Sequence, residues 1–128
     1  MPNDCWIYDG PPDYVNVKLP PLHPSEGGGY ILLFCLDNGT IRLFSSCNPG
    51  SCVSSWNYTV RRFGLPGTTK VLVSKPFLRY TAVRRQLGES LKPYKDKQTD
   101  AYRIDEDTLA LEAGKVFAAV EALAGENV

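Results

Sequence analysis

The stretch GYILLFCLDNGTIRLFSS, residues 29–46, decides how the rest of the chain folds. After Gly29 come seven mostly apolar residues, YILLFCL. A second run rich in β-forming residues, TIRLF, follows after Asp37, Asn38 and Gly39. Between the two runs, Asn38 and Gly39 tolerate the positive φ angles that a two-residue hairpin loop requires. The stretch therefore predicts a β-hairpin with strands over 30–36 and 40–44.

The elements after the hairpin are indicated by caps, prolines and β-branched residues. Asn48 is a favoured helix N-cap, Pro49 is a favoured first helical residue, and Gly64 is a favoured helix stop. Ser74 and Pro76 repeat the cap and the proline before the next helix. We therefore predict, in order, a helix over 49–63, a strand over 68–74, and helices over 76–92 and 106–123. Together with the hairpin, these elements predict an α+β fold with a small three-stranded antiparallel sheet flanked by helices.

The 128 residues divide into a proline-rich N-terminal arm over 1–28 and a single domain over 29–128. Six of the ten prolines lie in the arm, and proline excludes a regular helix there. A short edge strand is predicted over 14–19. Trp6 and its two neighbours are apolar enough to anchor the arm on the domain.

Composition excludes several classes of protein. No run of 18 apolar residues occurs and the N-terminus lacks a secretory signal, so we expect a cytoplasmic protein without a membrane partner. The cysteines lack the close pairing of zinc sites, and the single histidine is remote from them. We therefore expect no metal and no cofactor. The cysteines are Cys5, Cys35, Cys47 and Cys52.

Charge is distributed unevenly although the net charge is zero. Residues 1–60 hold two Lys/Arg and five Asp/Glu, net −3, and residues 61–97 hold ten and two, net +8. Residues 98–128 hold two and seven, net −5. Either these are solvated faces whose opposite charges meet in the fold, or the middle segment forms a basic surface for a polyanion.

This order of elements, with its local motifs, resembles the GIY-YIG nuclease family from about residue 29 to 123. Gly29-Tyr30-Ile31 stands for the first family element, and Ile41-Arg42-Leu43-Phe44 lies where the second belongs, without its tyrosine and glycine. The Asn-Pro helix start and the ending Leu91-Lys92-Pro93-Tyr94 are also similar to the family's.

The catalytic positions of the family are where this sequence departs from it. The family cleaves phosphodiesters with one divalent metal held by a helical glutamate and assisted by a first-helix arginine. The arginine position falls near Cys52, and the glutamate position falls at Arg84 or Arg85. Glu89, the only carboxylate on that helix, points away from Arg84. The resemblance therefore implies a nuclease fold with no catalytic residues.

The leading hypothesis is a catalytically inactive DNA-binding protein, or an accessory protein that assists a DNA-processing enzyme such as a nuclease or relaxase. An arginine in place of a metal carboxylate makes a site that binds phosphate directly, on double-stranded DNA with weak sequence preference. The predicted nucleic-acid-binding residues are Tyr30, Arg42, Arg61, Arg62, Lys75, Arg79, Arg84 and Arg85.

Two alternatives stay open. The chain could be an active metal-dependent endonuclease in which Glu89 serves as a displaced carboxylate. It could instead be a protein-interaction module without nucleic acid, contacting its partner through the proline-rich arm and the acidic C-terminal helix.

Overall fold

The computed structural model describes residues 6–15 and 28–126, with side chains as far as residue 120. It is an α+β fold. The strands are β1 (Trp6–Gly10), β2 (Tyr30–Leu36), β3 (Ile41–Ser46) and β4 (Thr68–Ser74), and the helices are α1 (Pro49–Phe63), α2 (Tyr80–Leu91) and α3 (Glu106–Glu126). The predicted edge strand over 14–19 lies mostly outside the described residues. No helix in the described part is long and apolar enough to cross a membrane.

The sheet has four antiparallel strands in the order β1-β4-β2-β3, so the prediction of three strands was wrong. The additional strand, β1, lies within the segment interpreted as an arm and pairs with β4, with Asp9 opposite Leu72. Residues along β1 alternate between half-buried and exposed, as expected for an edge strand with one face on the core. This pairing covers the outer edge of β4 and leaves β3 as the opposite edge.

The hairpin forms as predicted, but its turn has three residues. The N–H of Gly39 donates to the carbonyl of Leu36 over 3.1 Å, and the N–H of Leu36 donates to the carbonyl of Thr40 over 2.8 Å. Within this turn, only Gly39 takes a positive φ, 83°. Asn38 instead accepts a hydrogen bond from the N–H of Thr40 with its side chain, over 3.1 Å. This is the loop in which a left-handed glycine follows a tight turn.

Two helix starts agree with the sequence and one does not. Asn48 caps α1 by accepting a 3.0 Å hydrogen bond from the N–H of Ser51, and Gly64 ends that helix with φ 64°. The predicted second helix begins later, at Tyr80, because Phe77 is paired with Gly29 through two backbone hydrogen bonds of 2.8 and 3.0 Å. A residue held in that bridge cannot adopt helical geometry.

The two faces of the sheet are covered by different helices. Alternate residues of β2 point to opposite faces, so Ile31 and Leu33 pack with α2 and α3, while Leu32 and Phe34 pack with α1. Both layers therefore reach the free edge of β3, where side chains from either face of the sheet can meet.

Candidate nucleic-acid interface

The free edge of β3 is partly covered by the segment before α3. The N–H of Ile41 donates to the carbonyl of Tyr102 over 2.9 Å, and the N–H of Tyr102 donates to the carbonyl of Ile41 over 2.7 Å. The direction of backbone hydrogen bonding alternates along an antiparallel strand. Leu43 and Ser45 therefore present their backbone groups to the same side as Ile41, away from β2. Within the described ranges, no backbone hydrogen bond covers those two residues on this side. Among the described residues, this edge of β3 is paired at Ile41 and unpaired at Leu43 and Ser45.

A groove of about 340 Å³ runs along this edge. One wall comes from β3, a second from α2, and the third from the loop between α2 and α3. We call it the basic groove, and its lining residues are Arg42, Leu43, Phe44, Arg84, Arg85, Gly88, Lys95, Asp100 and Tyr102. Four cations thus face a single carboxylate.

The three arginines of the basic groove have no ion partner among the described residues. Over residues 6–15 and 28–126, no salt bridge involves Arg42, Arg84 or Arg85. Lys95 does have a partner, since its Nζ lies 3.8 Å from Oδ1 of Asp100. Three guanidinium groups gathered in a concave surface whose single carboxylate, Asp100, is paired with Lys95 create a positive local potential that attracts anions.

Arg42 is held in place by the aromatic layer beneath it. Its guanidinium carbon lies 5.0 Å from the centroid of the Trp56 ring, within the range of a cation–π interaction. Trp56 packs in turn on Phe44, with ring centroids 5.4 Å apart. The Nε atom of Arg42 is buried without a hydrogen-bond partner among the described residues. The side chain is therefore oriented by stacking, and its hydrogen-bonding capacity is not fully used.

Gly88 and Tyr102 form the floor of the basic groove. A Cβ atom on Gly88 would lie 3.8 Å from Cδ2 of Leu43 and 3.8 Å from the hydroxyl of Tyr102, so alanine fits but a larger side chain would occupy the groove. Burial raises the pKa of Tyr102 above its ordinary value, while the nearby Arg84 opposes that shift. The phenol is therefore protonated at neutral pH and can donate a hydrogen bond.

Of the predicted binding residues, only Arg42, Arg84 and Arg85 line the basic groove. Arg61 and Arg62 lie in the last turn of α1, which packs on the opposite face of the sheet. They are exposed, and the guanidinium of Arg62 approaches the ring of Phe63 at 5.8 Å.

The other three predicted residues also lie elsewhere. Tyr30 is 6% exposed and belongs to the core beneath α1, because its position in β2 points its side chain to that face. Lys75 and Arg79 are exposed in the segment between β4 and α2. The single surface predicted from sequence is thus divided among several parts of the fold.

Sequence reasoning missed Lys95, Asp100 and Tyr102 as groove residues. They come from a charged loop and a short extended segment, whose position depends on the long-range bridge between Ile41 and Tyr102. The sequence did contain one signal for Lys95, because it belongs to the segment 61–97 with net charge +8. That signal gave no information about where Lys95 lies in the fold.

Groups that could support hydrolysis are sparse near this edge. Glu89 does not line the basic groove. Within residues 6–15 and 28–126, no cluster of three or more His, Cys, Asp or Glu side chains could hold a metal ion. Burial raises the pKa values of the Cys35 and Cys52 thiols to about 11, so both are protonated at neutral pH and are poor nucleophiles.

Comparison with known proteins gives no relative: the chain matches no model of a protein family. Neither a curated protein nor a solved structure matches it.

Proposed function

We propose that the basic groove binds the phosphate backbone of DNA. The observation that carries the proposal is the convergence of Arg42, Arg84 and Arg85, from two separate elements, on one groove. None of the three forms a salt bridge with a described residue. Arginine presents a planar fork of donors that matches two phosphate oxygens, and such charge-assisted bonds are among the stronger ones. No metal ion or cofactor is part of this recognition.

Phosphate contacts fix the position of a duplex without reading its sequence. The groove offers guanidinium groups, the ammonium of Lys95 and the hydroxyl of Tyr102, all of which suit phosphate or sugar oxygens. We therefore assign the site to double-stranded DNA with weak sequence preference.

We infer further that the domain is a catalytically inactive relative of the GIY-YIG nucleases. Two features support this: the order hairpin, helix, strand, helix, and the arginines at the position where the resemblance places the metal-binding glutamate. In this proposal the protein acts in the cytoplasm and assists an enzyme that processes DNA, such as a nuclease or relaxase.

The proposal is tested by fluorescence anisotropy with a labelled duplex over a series of salt concentrations, with and without magnesium. Three phosphate contacts predict that log K falls against log salt with a slope of about −3, because each contact contributes about −0.9. Magnesium should have no specific effect, and plasmid should stay intact. Absence of binding at low salt would refute DNA binding. Plasmid nicking that needs magnesium and is lost in Glu89→Ala would instead support the endonuclease.

A protein-interaction module is the second candidate, and the open edge at Leu43 and Ser45 favours it. An extended peptide can add to such an edge as a further strand, and acidic side chains would complement the basic groove. If DNA binding disappears at moderate salt while binding to a protein partner persists, this second function takes precedence.

A further inference from the structure

Helix α3 has an exposed face that no described part of the chain covers. Its inner side is buried in the core through Leu109, Ala113 and Phe117. On the outer side, Leu111 is 60% exposed, and Ala118 is exposed as well. The helix therefore carries apolar side chains on its outer side as well as on its buried side.

The exposed face is a shallow depression with charged ends. It is lined by Asp107, Ala110, Leu111, Gly114 and Lys115. A Cβ atom added to Gly114 would meet nothing within 4 Å, so the floor of the depression has room for an apolar side chain from outside. The apolar centre and the two opposite charges together define what can bind there.

We propose that this face binds a second copy of the chain, with the two α3 helices antiparallel and related by a two-fold axis near Leu111. Asp107 lies four residues before Leu111 and Lys115 four residues after it, each about 6 Å along the helix at 1.5 Å per residue. The two-fold axis places Asp107 of each copy opposite Lys115 of the other, so two such pairs form, one at each end of the face. The face is therefore complementary to itself in charge.

Of these two charges, Lys115 already has an ion partner on its own helix, and Asp107 has none among the described residues. Asp107 forms no salt bridge within the described ranges. Lys115 lies 3.6 Å from Glu112, but Glu112 also accepts a 2.6 Å hydrogen bond from Ser90, which holds it towards α2. A second copy thus supplies the partner that Asp107 lacks, while Leu111 enters the depression beside Gly114.

One helix face is smaller than a standard interface of about 800 Å² per partner, so the dimer should be weak and concentration-dependent. Sedimentation velocity of the full chain, without DNA, over a range of concentrations measures it directly. This inference does not rest on the proposed function, and its readout does not involve DNA.

The decisive test is a charge exchange. Lys115→Asp places like charges opposite each other at both ends and should weaken the dimer about tenfold, and Asp107→Lys should act in the same way. The double variant Asp107→Lys with Lys115→Asp should restore association. Arg61→Asp, which makes the same change in net charge on α1, should leave it unaffected.

Leu111→Asp should abolish association without loss of fold, because its side chain is exposed, and circular dichroism checks the fold. A wild-type chain that stays monomeric at its highest soluble concentration would overturn the proposal. So would a double variant that associates no better than the single ones.

Discussion

Two pairs of adjacent arginines look alike in the sequence and differ in their surroundings. Arg61 and Arg62 lie in the last turn of α1, exposed, where a cation is favoured by the negative end of the helix dipole. Arg84 and Arg85 are exposed as well, but they lie in the middle of α2 and line the basic groove with Arg42. The first pair is favoured by the end of its helix, whereas the second lies away from both ends of its own. Convergence of charges from separate elements, more than their number, distinguishes a candidate binding site.

The largest change in DNA affinity should come from filling the basic groove without changing any charge. Gly88→Leu adds a branched side chain at a position where even a Cβ atom would lie 3.8 Å from Cδ2 of Leu43 and 3.8 Å from the hydroxyl of Tyr102. We expect DNA affinity to fall more than tenfold, because the phosphate can no longer approach the guanidinium groups. Anisotropy at fixed low salt measures the loss.

Gly88→Ala is the matched control for that variant. Its Cβ fits in ordinary van der Waals contact, so DNA affinity should be unchanged. Replacing a helical glycine should also raise the free energy of unfolding by up to about 1 kcal/mol, which urea denaturation reports. Equal affinities for the alanine and leucine variants would mean that the groove is not the site.

The next effect concerns Arg42, which should matter for binding and for stability. Arg42→Ala removes one of the proposed phosphate contacts, so the slope of log K against log salt should flatten by about 0.9. It also removes the cation–π contact with Trp56, which should lower the free energy of unfolding by about 0.5–2 kcal/mol. Arg42→Lys keeps the charge but loses the planar fork, and should keep most of the slope while losing affinity. Binding unchanged in Arg42→Ala would exclude this residue from the site.

The smallest effect is a change in the pKa of Tyr102. Arg84 lowers that pKa, against the larger effect of burial, because a cation stabilises the phenolate. Arg84→Ala should therefore raise the pKa of Tyr102 further, as followed by NMR of ring-labelled tyrosine. Arg61→Ala should leave it where it is. If the pKa of Tyr102 is the same in Arg84→Ala as in the wild type, the two side chains do not interact across the groove.

Local signals predicted much of the fold. The hairpin, α1 between Asn48 and Gly64, and β4 over Thr68–Ser74 all depend on neighbouring residues, and all are confirmed. The start of α2 was wrong because Ser74, interpreted as a helix cap, instead accepts a hydrogen bond from the N–H of Ile31 across the sheet. Local chemistry was overridden there by a strand contact 43 residues away in sequence.

The site was less predictable than the fold, for a related reason. Arg42, Arg84 and Arg85 were placed on one surface from the resemblance and the charge distribution, and the structure does bring them together in the groove. Lys95 and Tyr102 join them only through the bridge that Tyr102 makes to Ile41. No periodicity in the sequence encodes that contact, because it joins a loop to a sheet edge.

The most direct test of the account compares the two arginine pairs in one experiment. Arg84→Ala with Arg85→Ala, and Arg61→Ala with Arg62→Ala, remove the same charge from the chain. Salt titrations of duplex binding should show the slope of log K flattened by roughly one to two in the first variant and unchanged in the second. Circular dichroism should show both folded. Equal slopes in the two variants would contradict the assignment of the DNA site to the basic groove.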